Sequence, residues 1–321
     1  MILADTHLLG RLHGHWFDKL RREWQMYRAY QTARFLFDPE VIFILGDVFD
    51  EGLWASKDQL KHYLNRFDEL FFVSNSQQRF VVLGNHDIGF HYMIEPTRLN
   101  WFSKAFNCES VELLELKGNL FVLLNSMAME GDGCRLCGAA ESRLMSINKT
   151  LNCASGQSTN CHANRTLSGG YSPPILMQHF PLFRHSDKFC TEEDGMEEEE
   201  KFQQMRPKWE CLSEEATDKL LSWLQPRAAF GGHSHFGCVT LRRKFGFLEW
   251  TLASFSWRNN QRPSFLLLSV TPQAGAVYKC LLPKETTVIG VYILSGCLLL
   301  VWLFFSCLVL PYKRRKVRKF A

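Results

Sequence analysis

Twenty-three consecutive residues, Val288 to Leu310 (VIGVYILSGCLLLVWLFFSCLVL), carry no charge. About 20 apolar residues cross the hydrocarbon core of a bilayer, so this run spans one with some tilt. A core helix of a soluble domain rarely continues this far without a polar face. Pro311 and a basic tail follow, in which Lys313, Arg314, Arg315, Lys316, Arg318 and Lys319 supply six positive charges and no acid. By the positive-inside rule, 286–310 is a transmembrane helix, 311–321 is a cytoplasmic tail, and everything before them is lumenal or extracellular. The chain holds 37 basic and 33 acidic residues, a net +4, but 31 against 33 once those six are set aside. The positive charge belongs to the tail. No nucleic-acid partner is expected, because that footprint needs basic residues spread over a folded surface.

A lumenal body agrees with two further features. Asn148-Lys149-Thr150 and Asn164-Arg165-Thr166 are glycosylation sequons, placing candidate acceptors at Asn148 and Asn164. Nine cysteines lie outside the apolar run, and four of them (Cys134, Cys137, Cys153, Cys161) cluster in a segment rich in Gly, Ser and Asn. In an oxidising compartment, 131–170 reads as a disulfide-tied loop. Zinc binding is the rival, weakened because Cys153 and Cys161 lack the short ligand spacing. A lumenal body also needs an N-terminal signal or anchor, yet MILADTH reads as the middle of a first strand. The expectation is an N-terminally shortened form of a longer protein with a first membrane anchor.

Residues 1–285 read as one α/β domain. Asp18 to Phe37 is a long helical stretch with the apolar residues Leu20, Trp24, Tyr27 and Ala33 at near-helical spacing. Val41–Leu45 is a continuous apolar run, suited to a strand buried on both faces. Gln59 to Phe72 predicts a second helix, with Leu60, Leu64, Phe67 and Phe71 on one side. Phe80–Leu83, Leu120–Leu124, Ile175–Gln178 and Arg227–Phe230 are further strands. Ser213 caps another helix, with Glu214 and Glu215 in its first turn. Beyond Gly237 short strands follow at 239–242, 247–254 and 265–271. Alternating strands and helices, then a β-rich end, predict two packed sheets with helices outside. The acidic segment Glu192–Glu200 is expected to be a solvated loop.

Five segments place Asp, His and Asn directly after apolar runs: Asp5-Thr6-His7, Gly46-Asp47-Val48-Phe49-Asp50, Gly84-Asn85-His86-Asp87, Gln178-His179-Phe180-Pro181 and Gly232-His233-Ser234-His235. Ligands of open α/β sheets gather beyond the carboxyl ends of strands, so these loops are expected to converge. Two carboxylates (Asp5, Asp47), one amide (Asn85) and four imidazoles (His7, His179, His233, His235) form a mixed oxygen and nitrogen set suited to manganese, iron or zinc. Seven donors exceed one ion but serve two that share a bridge, the arrangement that clamps a phosphoryl group. Single motifs of this kind arise by chance; five in this order do not. His13, His15, His62, His91, His162 and His185 lack that context, and His91 and His185 are read as structural.

The series resembles the calcineurin-like metallophosphoesterase superfamily from residue 5 to residue 235. That resemblance implies a double β-sandwich flanked by helices, and a binuclear centre. It implies that Asp5, His7 and His235 hold one metal, that Asn85, His179 and His233 hold the other, and that Asp47 bridges them. His86 would protonate the leaving alcohol, oriented by Asp87. The serine/threonine phosphatases of the superfamily carry Arg-Gly after the second Asp motif and Glu after Asn-His. Glu51-Gly52 and Asp87 stand there instead, disfavouring a protein phosphatase. ADTHLLG, LRREWQM, ILGDVFDEG, GNHDIGFHY, GDGC, QHFPLFR and SFSWRN, with the C-terminal span, resemble the superfamily's glycosylphosphatidylinositol (GPI) remodelling branch. This implies a manganese-dependent phosphodiesterase acting on GPI-anchored proteins, removing ethanolamine-phosphate from the second mannose. The implied location is the membrane of the early secretory pathway (endoplasmic reticulum exit sites, the intermediate compartment, cis-Golgi). Phe255, Trp257 and Arg258 are candidates for the glycan approach or a packed strand end. A lumenal phosphoesterase for nucleotides or other small phosphoesters, and an inactive binding protein of the same fold, are the alternatives.

Overall fold

The computed structural model describes residues 1–131, 134, 136–158, 161 and 167–309. In chain order these form β1 (Ile2–Leu3), α1 (Trp16–Phe37), β2 (Val41–Leu45), α2 (Lys57–Leu70), β3 (Gln78–Val82), α3 (Asn85–Ile88), α4 (Pro96–Phe106), β4 (Val111–Leu116), β5 (Asn119–Leu124) and α5 (Cys137–Ala154). There follow β6 (Ile175–Gln178), α6 (Glu214–Leu224), β7 (Ala228–Gly231), β8 (Cys238–Arg242), β9 (Phe247–Thr251), β10 (Ser264–Val270), β11 (Gly275–Leu281) and α7 (Glu285–Phe304).

One sheet runs β11-β10-β1-β2-β3 and the other β4-β5-β6-β7-β9-β8. In β2, Phe43 and Leu45 enter the layer between the sheets, while Ile42 and Ile44 pack under the helices. That two-sided burial is why Val41–Leu45 is apolar throughout. Phe43 meets Phe121 of the opposite sheet, ring centroids 5.1 Å apart. β1, β2 and β3 are mutually parallel, as are β5, β6 and β7. Their carboxyl ends carry the five motif loops, the double-layered α/β architecture expected from the sequence.

Three expectations are corrected. α1 buries Gln25, Met26, Tyr30 and Ala33. Leu20, Trp24 and Tyr27 instead face outward, at 60 %, 40 % and 44 % exposure. Gln25 tolerates burial because its amide donates to the Phe255 carbonyl and accepts from the Trp257 N–H. The cysteine-rich segment is not a loop throughout. Ala140, Leu144, Ile147 and Leu151 recur at helical spacing and are buried along α5, and Cys134, Cys153 and Cys161 form no disulfide among the described residues. Asn148 lies mid-helix on α5, accepting from Asn152; Asn164 lies outside the described residues. The acidic segment is not wholly solvated either. Asp194 is buried, its carboxylate accepting from Ser264 and pairing with Lys279. A disulfide joins Cys190 and Cys238, 48 residues apart.

The chain divides into a unit of 1–282 and one of 283–321. In the second, the stretch Glu285–Cys307 has a mean hydropathy of 2.5 and no buried residue in its most apolar window. An apolar helix of 23 residues with no packed face matches a bilayer rather than water. The basic tail lies outside the described residues.

Candidate metal centre

The loops after β1, β2 and β7 are laced by backbone hydrogen bonds. Asp5 N–H donates to the Gly46 carbonyl and His7 N–H to that of Asp47. His233 N–H donates to the Asp5 carboxylate at 2.9 Å. Asp5, His7, Asp47, His233 and His235 all hold positive φ, from 42° to 71°. Such backbone is costly for residues with a Cβ and persists where function repays it. Gly84 and Gly46 allow close approach. A Cβ on Gly84 would overlap the Asp47 carboxylate and backbone nitrogen, and one on Gly46 would overlap the His179 ring. Gly84→Ala is therefore expected to destabilise the fold by about 2 kcal/mol or more and to lower metal content, read by thermal melting and elemental analysis.

All seven predicted ligands come together. Asp5, His7, Asp47 and His235 form one cluster of donor atoms; Asp47, His179 and His233 form a second. Asp47 belongs to both. Asn85 joins the second, its Oδ1 3.1 Å from His179 Nε2. His7 Nε2 and His235 Nε2 stand 3.0 Å apart.

Backbone carbonyls hold one ring nitrogen each of His179 and His233. His179 Nδ1–H donates to the Leu45 carbonyl at 2.8 Å, which turns Nε2 toward Asn85 Oδ1 and Asp47 Oδ2. His233 Nε2–H donates to the Trp209 carbonyl at 2.6 Å, and its Nδ1 is buried without a partner. His7 Nδ1 faces Asp50 at 3.3 Å. Partners of this kind fix the tautomer and orient ligating histidines.

Electrostatics also fit cations. Burial lowers the pKa of His7, takes His233 down to about 3 with help from His179, and takes His235 down to about 2 with help from His7. These imidazoles are neutral, the form that binds metal. Burial raises Asp47, but His179, His7 and His86 outweigh it and hold the carboxylate well below its usual range. Asp5 is pushed well above its usual value, by burial first and by the neighbouring Asp47 charge. Asp47 Oδ2 has no hydrogen-bond partner among the described residues, with His179 Nε2 at 3.4 Å and His7 Nε2 at 3.6 Å. A buried carboxylate oxygen set between two clusters of nitrogen and oxygen donors fits a shared divalent pair.

Other expectations change. Asp87 does not orient the His86 ring. Its carboxylate accepts from the backbone N–H groups of Gly84, Val48 and Phe49, stapling the β2 and β3 loops together. The His86 ring donates from Nδ1 to the Asp50 carbonyl at 3.0 Å, and its centroid lies 4.8 Å from that of His7. Phe255 is fully buried in the core and does not line an approach. Arg258 makes a two-pronged pair with Asp50 at 2.8 and 2.9 Å. Sequence reading gave Asp50 no role, yet it links His7 to Arg258. The Asp-x-x-Asp spacing was its only signal. His91 is structural, bridging the Met127 and Lys208 carbonyls.

Two sheets whose parallel strands deliver a seven-donor, two-cluster centre define a binuclear metal phosphoesterase. The model of the calcineurin-like phosphoesterase family matches residues 1–237, and the chain belongs to that family. It is 47 % identical over 305 residues to Metallophosphoesterase 1 of Gallus gallus, covering 94 % of this chain and 76 % of that one. The Rattus norvegicus protein of the same name is 49 % identical over 304 residues, with the same coverage. In fold it is similar to a dimetal phosphatase from Danio rerio, with a TM-score of 0.53 and 14 % identity, covering 88 % of this chain and 98 % of that one. The chain is a membrane-anchored, metal-dependent phosphoesterase.

Proposed function

We propose that this enzyme is a manganese-dependent phosphodiesterase that removes the ethanolamine-phosphate branch from the second mannose of GPI anchors, its body facing the lumen of the early secretory pathway. The observation that carries the reading is the pair of donor clusters sharing Asp47 in a chain that also has a membrane-spanning helix. The likeness to the two Metallophosphoesterase 1 proteins supports it. The Cys190–Cys238 disulfide supports a lumenal body.

A bound divalent pair neutralises phosphate oxygens and makes hydroxide available at neutral pH. The protein supplies the rest. Asp47 sets the spacing of the two clusters. His86, with Nδ1 engaged by the Asp50 carbonyl, presents Nε2 as the proton donor to the leaving alcohol. Beside His233 lies a cavity of ≈ 190 Å³, with Asp187, Glu200, Lys201, Gln203 and Glu210 among its lining residues. These walls suit a hydroxyl-rich, ammonium-bearing ligand.

The purified full chain, loaded with manganese, is expected to release ethanolamine-phosphate from GPI glycans and to leave nucleotide phosphodiesters intact. Cleavage of nucleotide diesters with no glycan product would overturn this reading in favour of a small-phosphoester enzyme.

A further inference from the structure

The outward face of α1 and the segment before it carry a surface that catalysis does not use. Leu12, Trp16, Phe17, Leu20 and Tyr27 are 68 %, 67 %, 52 %, 60 % and 44 % exposed. Trp16, Leu20 and Tyr27 lie at i, i+4 and i+11, on one side of the helix. Water-facing surfaces seldom gather this many large apolar side chains without a partner. Arg11 and Arg28 are exposed beside them, and Lys19 is partly so. The acids of the same stretch are engaged: Asp18 with Arg21 at 2.7 Å, and Glu23 with Arg66. The surface is aromatic and net positive.

Its position in the catalytic body is informative. Leu12 N–H donates to Glu51 at 2.9 Å and His13 Nδ1 lies 3.4 Å from Asp50, so the segment starts at the rim of the metal centre. Ile2 pairs with Leu266 in antiparallel register, which points the carboxyl end of β1, and Asp5 beyond it, toward the Ser264 end of β10. β11 finishes at that same end, Leu281 opposite Ser264. The polypeptide therefore leaves the body on the side of the sheet where the metal loops are, then continues into the apolar helix at Glu285.

We infer that Arg11–Arg28 is an interfacial docking surface for a bilayer carrying anionic lipid. Leu12, Trp16, Phe17 and Leu20 enter the headgroup boundary, and Arg11, Lys19 and Arg28 meet lipid phosphates. Aromatic and leucine side chains flanked by Arg and Lys are the composition that holds a helix in the plane of a membrane. Docking there places the rim of the metal centre at the surface where a lipid-anchored phosphodiester sits. The inference uses the membrane anchor and the metal centre, and does not require the substrate to be a GPI.

The full chain, reconstituted into phosphatidylcholine–phosphatidylserine vesicles with a phospholipid bearing a diazirine near its carbonyl, is irradiated and mapped by peptide mass spectrometry. Labels are expected in 11–28 as well as in 285–307. The Trp16→Glu, Leu20→Glu double variant is expected to lose about fivefold or more of the 11–28 label, while hydrolysing a water-soluble chromogenic phosphodiester at the unaltered rate. Labelling confined to 285–307 overturns the inference. So does labelling of 11–28 that the double variant leaves unchanged. A doubled mass in detergent with α1-to-α1 cross-links would assign the surface to a second copy and overturn it as well.

Discussion

Asp47→Asn is expected to reduce phosphodiester turnover by about 1,000-fold or more and to take the metal content from two ions per chain to below one. Asp47 is the residue common to both donor clusters, and its Oδ2 is buried with no hydrogen-bond partner among the described residues. The amide keeps the shape and loses the charge, so the two ions would share no anion between them. The other donor residues would remain, but Asn85 and the four imidazoles carry no negative charge. Asp5 alone would face two dications. Elemental analysis beside a turnover assay checks this. Two ions retained at full stoichiometry would show that Asp47 is not the bridge.

His86→Ala is expected to lower turnover by about 10²–10⁴-fold with both metals retained. The ring belongs neither to the cluster that holds Asp47 and His179 nor to the one that holds Asp5 and His235, and groups instead with His7 and Asp50. Its backbone N–H, which donates to Asp47 Oδ1 at 2.8 Å, survives the substitution. The loss should shrink for substrates whose leaving alcohol has a low pKa, because such groups need little protonation. An emptied metal centre in this variant would instead make His86 a ligand.

The motif loops were legible because each follows a short apolar run whose two-sided burial leaves little choice of conformation. Val41–Leu45 and Ile175–Gln178 are strands with the expected bounds. Asp47 and His179 then fall at their carboxyl ends, where topology gathers ligands. The face of α1 was not legible, for a physical reason. Apolar residues occur on both sides of this helix, so periodicity alone could not say which side packs. The buried side was decided by the Gln25 amide finding the Phe255 carbonyl and the Trp257 N–H more than 200 residues away. Asp50 and Arg258 were hidden in the same way, since a pair 208 positions apart leaves no local spacing to read. In α5, Gly, Ser and Asn around the cysteines concealed the apolar stripe of Ala140, Leu144, Ile147 and Leu151.

The Cys190–Cys238 bond closes a covalent ring of polypeptide. His179 lies just before the ring, while His233 and His235 lie within it, next to its closing cysteine. The acidic turns around Glu197–Gln204, within that ring, are mostly exposed. A protease cutting there would sever the backbone without separating the ligand-bearing loops, since the sulfur bridge still joins the fragments. The enzyme is thus built to outlast a nick in this exposed stretch, provided that its surroundings remain oxidising.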